Sequence, residues 1–287
     1  MLNTKTHIAY DAHCLKSRVA RQFSRAASAY DDAAAVQLEI AEDALSLCVP
    51  GAGKILDIGC GTGRISQRLL CCCPEVFALD LAQGMLSYAR EQYQSVLATQ
   101  PSANNHSSGN IHWLAGDAES LPLGDGVVDR VFSSMALQWC SELELVMKEI
   151  YRVLSPGGSA VLAIMADGSM AQLSHCWQRL DNQAHVNQFA TAAQMKNAAQ
   201  QAGFRVRHRE KSYLTWHRNV RELLGSIKAI GAIVVTQTAN HSTINRAMLQ
   251  RLQLCYLNEF AGLPGAENST LLPLSYALCF LQLDKEA

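Results

Sequence analysis

Ile55-Leu-Asp-Ile-Gly-Cys-Gly-Thr-Gly63 is an apolar run that ends in an acid and a turn with three glycines. A second apolar run closes at Leu79-Asp80, and its acid lies 23 positions after Asp57. Glycines let the backbone approach a ligand because no Cβ stands in the way, and an acid that ends the next strand can accept bonds from both ribose hydroxyls. The stretch therefore predicts a strand, a turn and a helix that bind a nucleotide-type cofactor.

Predicted strands and helices alternate along the chain, which favours an α/β fold whose parallel strands are joined by crossover helices. The predicted strands are Lys54–Ile58, Glu75–Leu79, Ile111–Ala115, Val128–Ser133, Ala160–Ile164, Phe204–Tyr213 and Tyr276–Leu283. The predicted helices are Val36–Cys48, Arg64–Cys72, Gly84–Gln92, Glu142–Val153, Gln172–Leu180, Ala192–Ala202, Val220–Ile230 and Ile244–Phe260. The polar segment Gln94–Asn110 predicts a surface loop, and Pro156-Gly157-Gly158 predicts a turn.

No clear linker divides the 287 residues, so the sequence predicts one domain over residues 1–287. Within it we expect a helical cap at residues 1–50, a cofactor-binding core at 51–165 and a C-terminal half at 166–287 with a helical insertion. No apolar stretch reaches the roughly 20 residues that span a bilayer, and the N-terminus lacks the apolar centre of a signal peptide. We therefore expect a cytoplasmic protein without a membrane span.

The ten cysteines are scattered through apolar segments, which favours small buried side chains over metal ligands. Neighbouring residues in the run Cys71-Cys72-Cys73 point in different directions on a helix, so the run cannot easily place three ligands around one zinc ion. Cys60 is interpreted as a small residue that a tight turn tolerates rather than as a nucleophile. The sequence predicts no metal site.

The net charge of −1 conceals an uneven distribution. Between Arg205 and Arg251 nine lysines and arginines face two acids, Glu210 and Glu222, and the first 25 residues hold five basic residues against Asp11 alone. Such a balance favours an acidic partner. The alternative is that these charges lie on solvated helix faces that point in several directions.

The spacing of the glycines distinguishes two cofactors. Dinucleotide-binding turns read Gly-x-Gly-x-x-Gly, with the pyrophosphate at the N-terminus of the following helix. Gly59, Gly61 and Gly63 instead stand two residues apart, and the carboxylate of Asp57 would repel a pyrophosphate. A cofactor with ammonium and sulfonium charge fits better, so the turn favours S-adenosylmethionine over NAD. Asp57 is expected to act on the methionine end, through water or the amides of the turn.

Candidate contacts to the adenosine come from the ends of the next two strands. Asp80 is expected to bind the ribose, and Asp117 can accept a hydrogen bond from the adenine amine while Ala118 leaves room for the ring. Leu81 and Met85 are candidates to cover the adenine face, although simple helix packing would also explain Met85. The complete predicted cofactor set is Asp57, Gly59, Cys60, Gly61, Gly63, Asp80, Leu81, Met85, Gly116, Asp117, Ala118 and Ser134.

The segment Ser134–Trp139, Ser-Met-Ala-Leu-Gln-Trp, leaves the fourth strand at the edge where such sheets bind ligands. Gln138 and Trp139 are therefore candidates to lie near the reacting group. A place in the hydrophobic core would explain Trp139, and equally Trp177, without any contact to a ligand.

Four motifs together resemble the class I S-adenosylmethionine-dependent methyltransferases. They are Leu-Asp-Ile-Gly-Cys-Gly-Thr-Gly at 56–63, Ala-Leu-Asp at 78–80, Gly-Asp-Ala-Glu-Ser-Leu-Pro at 116–122 and Arg-Val-Leu-Ser-Pro-Gly-Gly at 152–158. The resemblance implies a Rossmann-like fold with a mostly parallel seven-stranded sheet, helices on both faces and helical insertions after strands five and six. It implies S-adenosylmethionine as cofactor and S-adenosylhomocysteine as its product.

Further segments narrow the resemblance to the malonyl-[acyl-carrier protein] O-methyltransferase family of biotin synthesis. These segments are Phe23–Tyr30, Met135–Cys140, Gly168–Trp177, His185–Phe189 and Ile227–Ala232. The resemblance implies methylation of the free malonyl carboxylate, with an acidic malonyl carrier protein as partner and no nucleic-acid or membrane partner. Gln188 and Ala229 depart from the family pattern, which has arginine and glycine there.

Candidates for the substrate pocket are drawn from these segments, and no general base is required because a malonyl carboxylate is already ionised at neutral pH. They are Tyr30, Gln138, Trp139, His185, Asn187, Lys228 and Arg25. A solvated helix face would also explain Arg25, and a structural role would explain His185. Two other functions stay open: methylation of another small acid or quinone-like acceptor, and a non-catalytic subunit that only binds the cofactor.

Overall fold

A computed structural model describes residues 3–99, 109–181, 185–232, 245–260 and 270–287. One sheet is built from β1 (Lys54–Ile58), β2 (Glu75–Asp80), β3 (Asn110–Ala115), β4 (Val128–Ser134), β5 (Leu154–Met165), β6 (Arg205–His217) and β7 (Leu272–Asp284). The helices around it are α1 (Asn3–Ala33), α2 (Ala35–Leu45), α3 (Arg64–Leu69), α4 (Gln83–Thr99), α5 (Leu143–Val153), α6 (Ala171–Leu180), α7 (Ala192–Gln201), α8 (Val220–Ala229) and α9 (Arg246–Phe260).

The strand order across the sheet is β3-β2-β1-β4-β5-β7-β6. Strands β3, β2, β1, β4 and β5 pair in parallel, whereas β7 is antiparallel to both β5 and β6. The predicted Rossmann-like sheet, seven-stranded and mostly parallel, is confirmed. Because β1 and β4 are neighbours that point the same way, their carboxyl ends form a crevice at the point where the strand order reverses, which is where open α/β sheets bind ligands.

Helices cover both faces of the sheet, because neighbouring residues of each central strand point to opposite sides. Ile55 packs into one hydrophobic cluster with residues of α2, α6, α8 and α9, whereas Leu56 packs into a second cluster with residues of α5 and α7. In β4, Phe132 packs into the first cluster and Val131 into the second. Burial on both sides explains why these strands are near-continuous apolar runs in the sequence.

The helical insertions fall where the sequence predicts them. Helices α6 and α7 lie between β5 and β6, and α8 and α9 lie between β6 and β7. In the described part of the chain, no helix is both long and apolar enough to cross a membrane.

The largest differences from the predicted element boundaries lie at α1, α4 and β5. The 31-residue helix α1 precedes Val36, where the first individual helix is predicted, and it packs against α4 and α8. Helix α4 continues to Thr99 into the predicted loop Gln94–Asn110, of which residues 100–108 lie outside the described part. Strand β5 starts at Leu154 instead of Ala160 because Leu154 already pairs with Val128. The register shifts before the next pair, Arg130 with Ser159, so the predicted turn at 156–158 lies within the strand as an irregularity.

Candidate active site

The turn after β1 is held in a left-handed backbone conformation at each of its three glycines, with φ of 76° at Gly59, 55° at Gly61 and 74° at Gly63. A Cβ on Gly59 would stand 2.2 Å from the Cβ of Ala136, and one on Gly63 would stand 2.5 Å from the ring of Trp113. Apart from its two chain neighbours, no heavy atom of the described residues lies within 4 Å of the place of a Cβ on Gly61. Gly59 and Gly63 therefore serve packing, whereas Gly61 leaves space beside the turn for a ligand.

Asp80 ties this turn to the end of β2. Its carboxylate accepts hydrogen bonds from the backbone amides of Gly61 at 2.9 Å and Ala82 at 2.7 Å. Burial raises the pKa of Asp80, and the amides of Ala82 and Gly61 act in the opposite direction. Each carboxylate oxygen keeps a second lone pair, so Asp80 can still accept from a pair of hydroxyls.

Asp57 lies under the turn with 2% of its surface exposed. It accepts a hydrogen bond of 2.6 Å from the hydroxyl of Ser66 in α3. Burial raises the pKa of Asp57 to about 7, although the bond from Ser66 opposes the shift. A cationic ligand near this carboxyl would favour its ionised form.

A cavity opens between α1 and the crevice at the carboxyl ends of β1 and β4. Among the predicted site residues, its walls include Tyr30, Gly59, Gly61, Asp80, Leu81, Met85, Gly116, Asp117, Ala118, Ser134 and Trp139. The residues predicted to contact adenosine are thus brought together from separate segments. Met85 is 1% exposed, so it contributes both to packing and to the cavity wall.

A second cavity adjoins the first on the far side of the glycine turn. The two cavities share Tyr30, Gly59, Gly61, Ser134 and Met135. Asp57 and Cys60 line the second cavity, together with Asp31, Gln37, Thr62 and Arg64, which the sequence analysis did not select. An extended ligand can therefore run along both sides of the turn.

Two buried polar atoms on the cavity walls lack a hydrogen-bond partner within the described part of the chain. They are Oε1 of Gln37 and the hydroxyl oxygen of Ser134. A buried polar group left without a partner costs about 1–3 kcal/mol, so such atoms point to a ligand that supplies the missing bonds. An ammonium group has only donors, which suits the acceptor of Gln37. The acids, the orphaned atoms and the space beside Gly61 fit S-adenosylmethionine.

Helix α1 closes the first cavity. The ammonium group of Lys16 bonds to Asp117 at 2.6 Å and to Glu119 at 2.5 Å. Burial acts to lower the pKa of Lys16, but the two carboxylates outweigh it and the pKa is raised. Further along α1, Phe23 packs edge-on against Trp139 with ring centroids 5.6 Å apart. The helix is thus attached at the Asp117 end of the cavity by charge and at the Trp139 end by aromatic contact.

Five predicted substrate residues do not line these two cavities. Gln138 donates a hydrogen bond to the carbonyl of Met135 at 2.7 Å, and Arg25 and Lys228 are exposed on α1 and α8. The ring of His185 stacks on Trp177 at 4.0 Å and bonds to Asp181 at 2.8 Å, which favours its structural role. Asn187 is partly buried outside both cavity walls.

Beyond Tyr30, the sequence analysis missed the residues of α1 that line the first cavity. Lys16, Val19, Ala20 and Phe23 all line it, and with Tyr30 they follow the spacing of one helix face. That spacing was the available signal, but the many polar residues of α1 hide it.

Among the described cysteines, the thiols show no arrangement for metal binding or nucleophilic attack. In the described ranges, no group of three His, Cys, Asp or Glu side chains could hold a metal ion. Burial raises the pKa of Cys60 well above the usual value for a thiol, and nearby Asp80 and Asp57 act in the same direction. Cys60 is therefore a neutral, small residue of the turn.

Comparisons with known proteins agree with this geometry. Residues 56–162 match the family model described as a methyltransferase domain. A solved putative methyltransferase from Bacillus halodurans is similar in fold, with a TM-score of 0.58 at 17% identity over 87% of this chain and 100% of that one. The fold and the cavity thus define an S-adenosylmethionine-dependent methyltransferase.

Two curated relatives are similar over nearly the whole chain. The malonyl-[acyl-carrier protein] O-methyltransferase of Serratia marcescens is 36% identical over 92% of this chain and 94% of its own length. The biotin biosynthesis bifunctional protein BioHC of Cellvibrio japonicus is 34% identical over 94% of this chain, which spans 50% of that longer protein. The chain belongs to the malonyl-[acyl-carrier protein] O-methyltransferase family.

Proposed function

We propose that the protein transfers a methyl group from S-adenosylmethionine to the free carboxylate of malonyl-[acyl-carrier protein], as a step of biotin synthesis. The observation that carries this proposal is the 36% identity to the Serratia marcescens enzyme, which covers 92% of this chain and 94% of that protein. The absence of a nucleic-acid or membrane partner, the lack of a metal and the cytoplasmic location stay predictions.

Residues of both cavities would bind the cofactor. Asp80 would hold the ribose and Asp117 the adenine amine, while Gln37 and Asp57 would receive the cationic methionine end. Bound S-adenosylmethionine supplies an electrophilic methyl group on a sulfonium ion. The fixed glycine turn between the two cavities would orient the methionine end relative to the acceptor.

The acceptor needs orientation more than it needs proton transfer. A carboxylate is ionised at neutral pH, so its oxygen can attack without a general base. Burial raises the pKa of Tyr30, with the charges of Asp80 and Asp31 acting in the same direction, so its phenol stays protonated and can donate a hydrogen bond. We infer that Tyr30, and Arg64 at the second cavity, hold the carboxylate in line with the methyl group; orientation of this kind can lower a barrier by roughly 7–11 kcal/mol.

The proposal is tested with S-adenosylmethionine labelled in its methyl group. The purified protein is offered malonyl carrier protein, malonyl-CoA and free malonate, and the product is identified by mass spectrometry as a methyl ester. We expect labelling of the carrier thioester. Labelling of another acceptor with none on the carrier would overturn the proposal, and cofactor binding without any turnover would point to a non-catalytic subunit.

A further inference from the structure

Helix α8 presents one exposed stripe to solvent. Val220, Leu223 and Ile227 are buried in the core, whereas Arg221, Gly225 and Lys228 are exposed. The exposed residues follow the spacing i, i+4 and i+7, so they lie along one side of the helix over about 10 Å. We call these three residues the α8 stripe.

Gly225 is unusual because it stands in the middle of a helix. Glycine there is less favourable than alanine, since it adds freedom to the unfolded chain. Apart from its chain neighbours and the backbone of its own helix, no heavy atom of the described residues lies within 4 Å of the place of a Cβ on Gly225. Nothing inside the described part of the protein therefore requires glycine at this position, which points to a requirement from outside: the close approach of another molecule.

The two cations of the stripe lack partners in the part of the chain that the structure describes. Neither the Arg221 nor the Lys228 side chain has a hydrogen bond or ion pair there. Arg218, one turn before the stripe, is by contrast paired with Glu222 at 3.0 Å. Within the described residues, Arg221 and Lys228 thus carry positive charges without an acidic partner, and Gly225 lies between them without a side chain.

The stripe lies beside the entrance to the site. Gly231 follows α8, and its amide bonds to the carbonyl of Lys228 at 3.0 Å. A Cβ on Gly231 would stand 3.2 Å from the Cα of Phe23, which lines the first cavity. A molecule bound along the stripe would therefore reach the cavity wall at its Lys228 end.

The cations of β6 are placed differently. Arg207 pairs with Asp284, and Lys211 pairs with Asp43 of α2. Arg205 stands at the start of β6, opposite Asp284 at the end of the antiparallel strand β7. Strand β6 thus points in the same direction as β5, although β7 lies between them. Arg205 therefore lies at the amino end of its strand, away from the carboxyl ends of the parallel strands that form the site. The basic segment of the sequence is therefore divided among β6, α8 and α9, which carries Arg246 and Arg251.

We propose that the α8 stripe is the docking surface for the acidic carrier protein that presents the malonyl group. This inference rests on the proposed function. Complementary charge would steer the carrier to Arg221 and Lys228, and Gly225 would let a backbone segment of the carrier lie directly on α8.

The test compares three stripe variants with one matched control. The stripe variants are Arg221→Glu, Lys228→Glu and Gly225→Gln, and the control is Arg205→Glu, which makes the same charge change at the far edge. Steady-state kinetics are measured with malonyl carrier protein and with malonyl-CoA at two salt concentrations. Binding of the carrier is measured separately by calorimetry, and melting temperature reports folding.

Each stripe variant should raise KM for the carrier by about tenfold and leave kcat/KM for malonyl-CoA within about twofold. The charge reversals should also weaken the salt dependence. Gly225→Gln should keep or raise the melting temperature, which separates docking from folding. Unchanged carrier KM in the stripe variants, or an equal rise in Arg205→Glu, would overturn the docking surface. Absence of carrier methylation by the unsubstituted protein would instead overturn the proposed function.

Discussion

Asp80 has two tasks at the scale of the single residue, because it holds the glycine turn and faces the cavity. We predict that Asp80→Ala weakens S-adenosylmethionine binding at least about tenfold, since hydrogen bonds to a charged group contribute about 1.5–3 kcal/mol each. Calorimetric titration measures the effect. Asp125→Ala, at a side chain that is 81% exposed, is the control and should bind normally. Unchanged affinity in Asp80→Ala would refute the ribose assignment.

Gln37 tests whether an orphaned atom marks a ligand contact. Gln37→Leu removes the unpartnered Oε1 together with the side-chain hydrogen bond that joins Gln37 to Tyr276. We expect the free energy of unfolding without cofactor to change by less than about 1 kcal/mol, because the two losses offset each other. The dissociation constant of S-adenosylmethionine should rise several-fold.

Tyr256→Phe is the matched control for Gln37→Leu. Its hydroxyl is also buried without a partner in the described residues. Tyr256 lies on α9 within the hydrophobic core, however, and lines neither cavity. Cofactor affinity should not change in this variant. An equal loss of affinity in both variants would show that the effect is general loosening of the fold.

The carboxyl of Asp57 predicts a pH dependence. Its pKa of about 7 in the folded protein lies above the value near ~3.9 of an unfolded chain, so folding favours the protonated form. This contribution to stability is complete below about pH 4 and is lost as pH rises through 7. Without cofactor, the free energy of unfolding of the wild type should therefore decrease relative to that of Asp57→Asn as the pH rises from 5 to 8. Parallel pH profiles, measured by urea titration, would contradict the shift.

At the scale of the element, Lys16 bonds α1 to the end of the cavity that Asp117 lines. Lys16→Met removes both bonds to Asp117 and Glu119 but keeps most of the apolar stem. We predict a dissociation constant for S-adenosylmethionine raised about three- to tenfold and faster hydrogen exchange along α1.

Arg21→Met is the control on the same helix. Arg21 is exposed and has no ion pair within the described part of the chain. Neither affinity nor hydrogen exchange should change. If Lys16→Met behaves like this control, the two carboxylates do not hold α1 in solution.

At the scale of the whole molecule, the sheet joins the cofactor-binding half to the C-terminal half. β7 inserts between β5 and β6, so strands from both halves share one continuous hydrogen-bond ladder. We predict a single cooperative unfolding transition, stabilised by about 2.7 kcal/mol when S-adenosylmethionine is present at 100 times its dissociation constant. Calorimetry that shows two transitions, with only one shifted by cofactor, would contradict the single-domain arrangement.

The sequence by itself determined the fold class and the nature of the cofactor. Both depend on local patterns: apolar runs buried on two faces, left-handed glycines, and acids that end strands such as Asp57 and Asp80. These features are short in sequence and are set by backbone geometry, so they can be read without knowing what packs against them.

Only the tertiary structure decided which distant side chains meet. It brought Lys16 to Asp117 across 101 positions and stacked His185 on Trp177 away from the cavities. It also left the side-chain oxygen of Gln37 without a partner among the described residues. It further divided the basic segment among β6, α8 and α9. Long-range packing determines which face of a helix is buried and which charge finds a partner, and no local spacing contains that information.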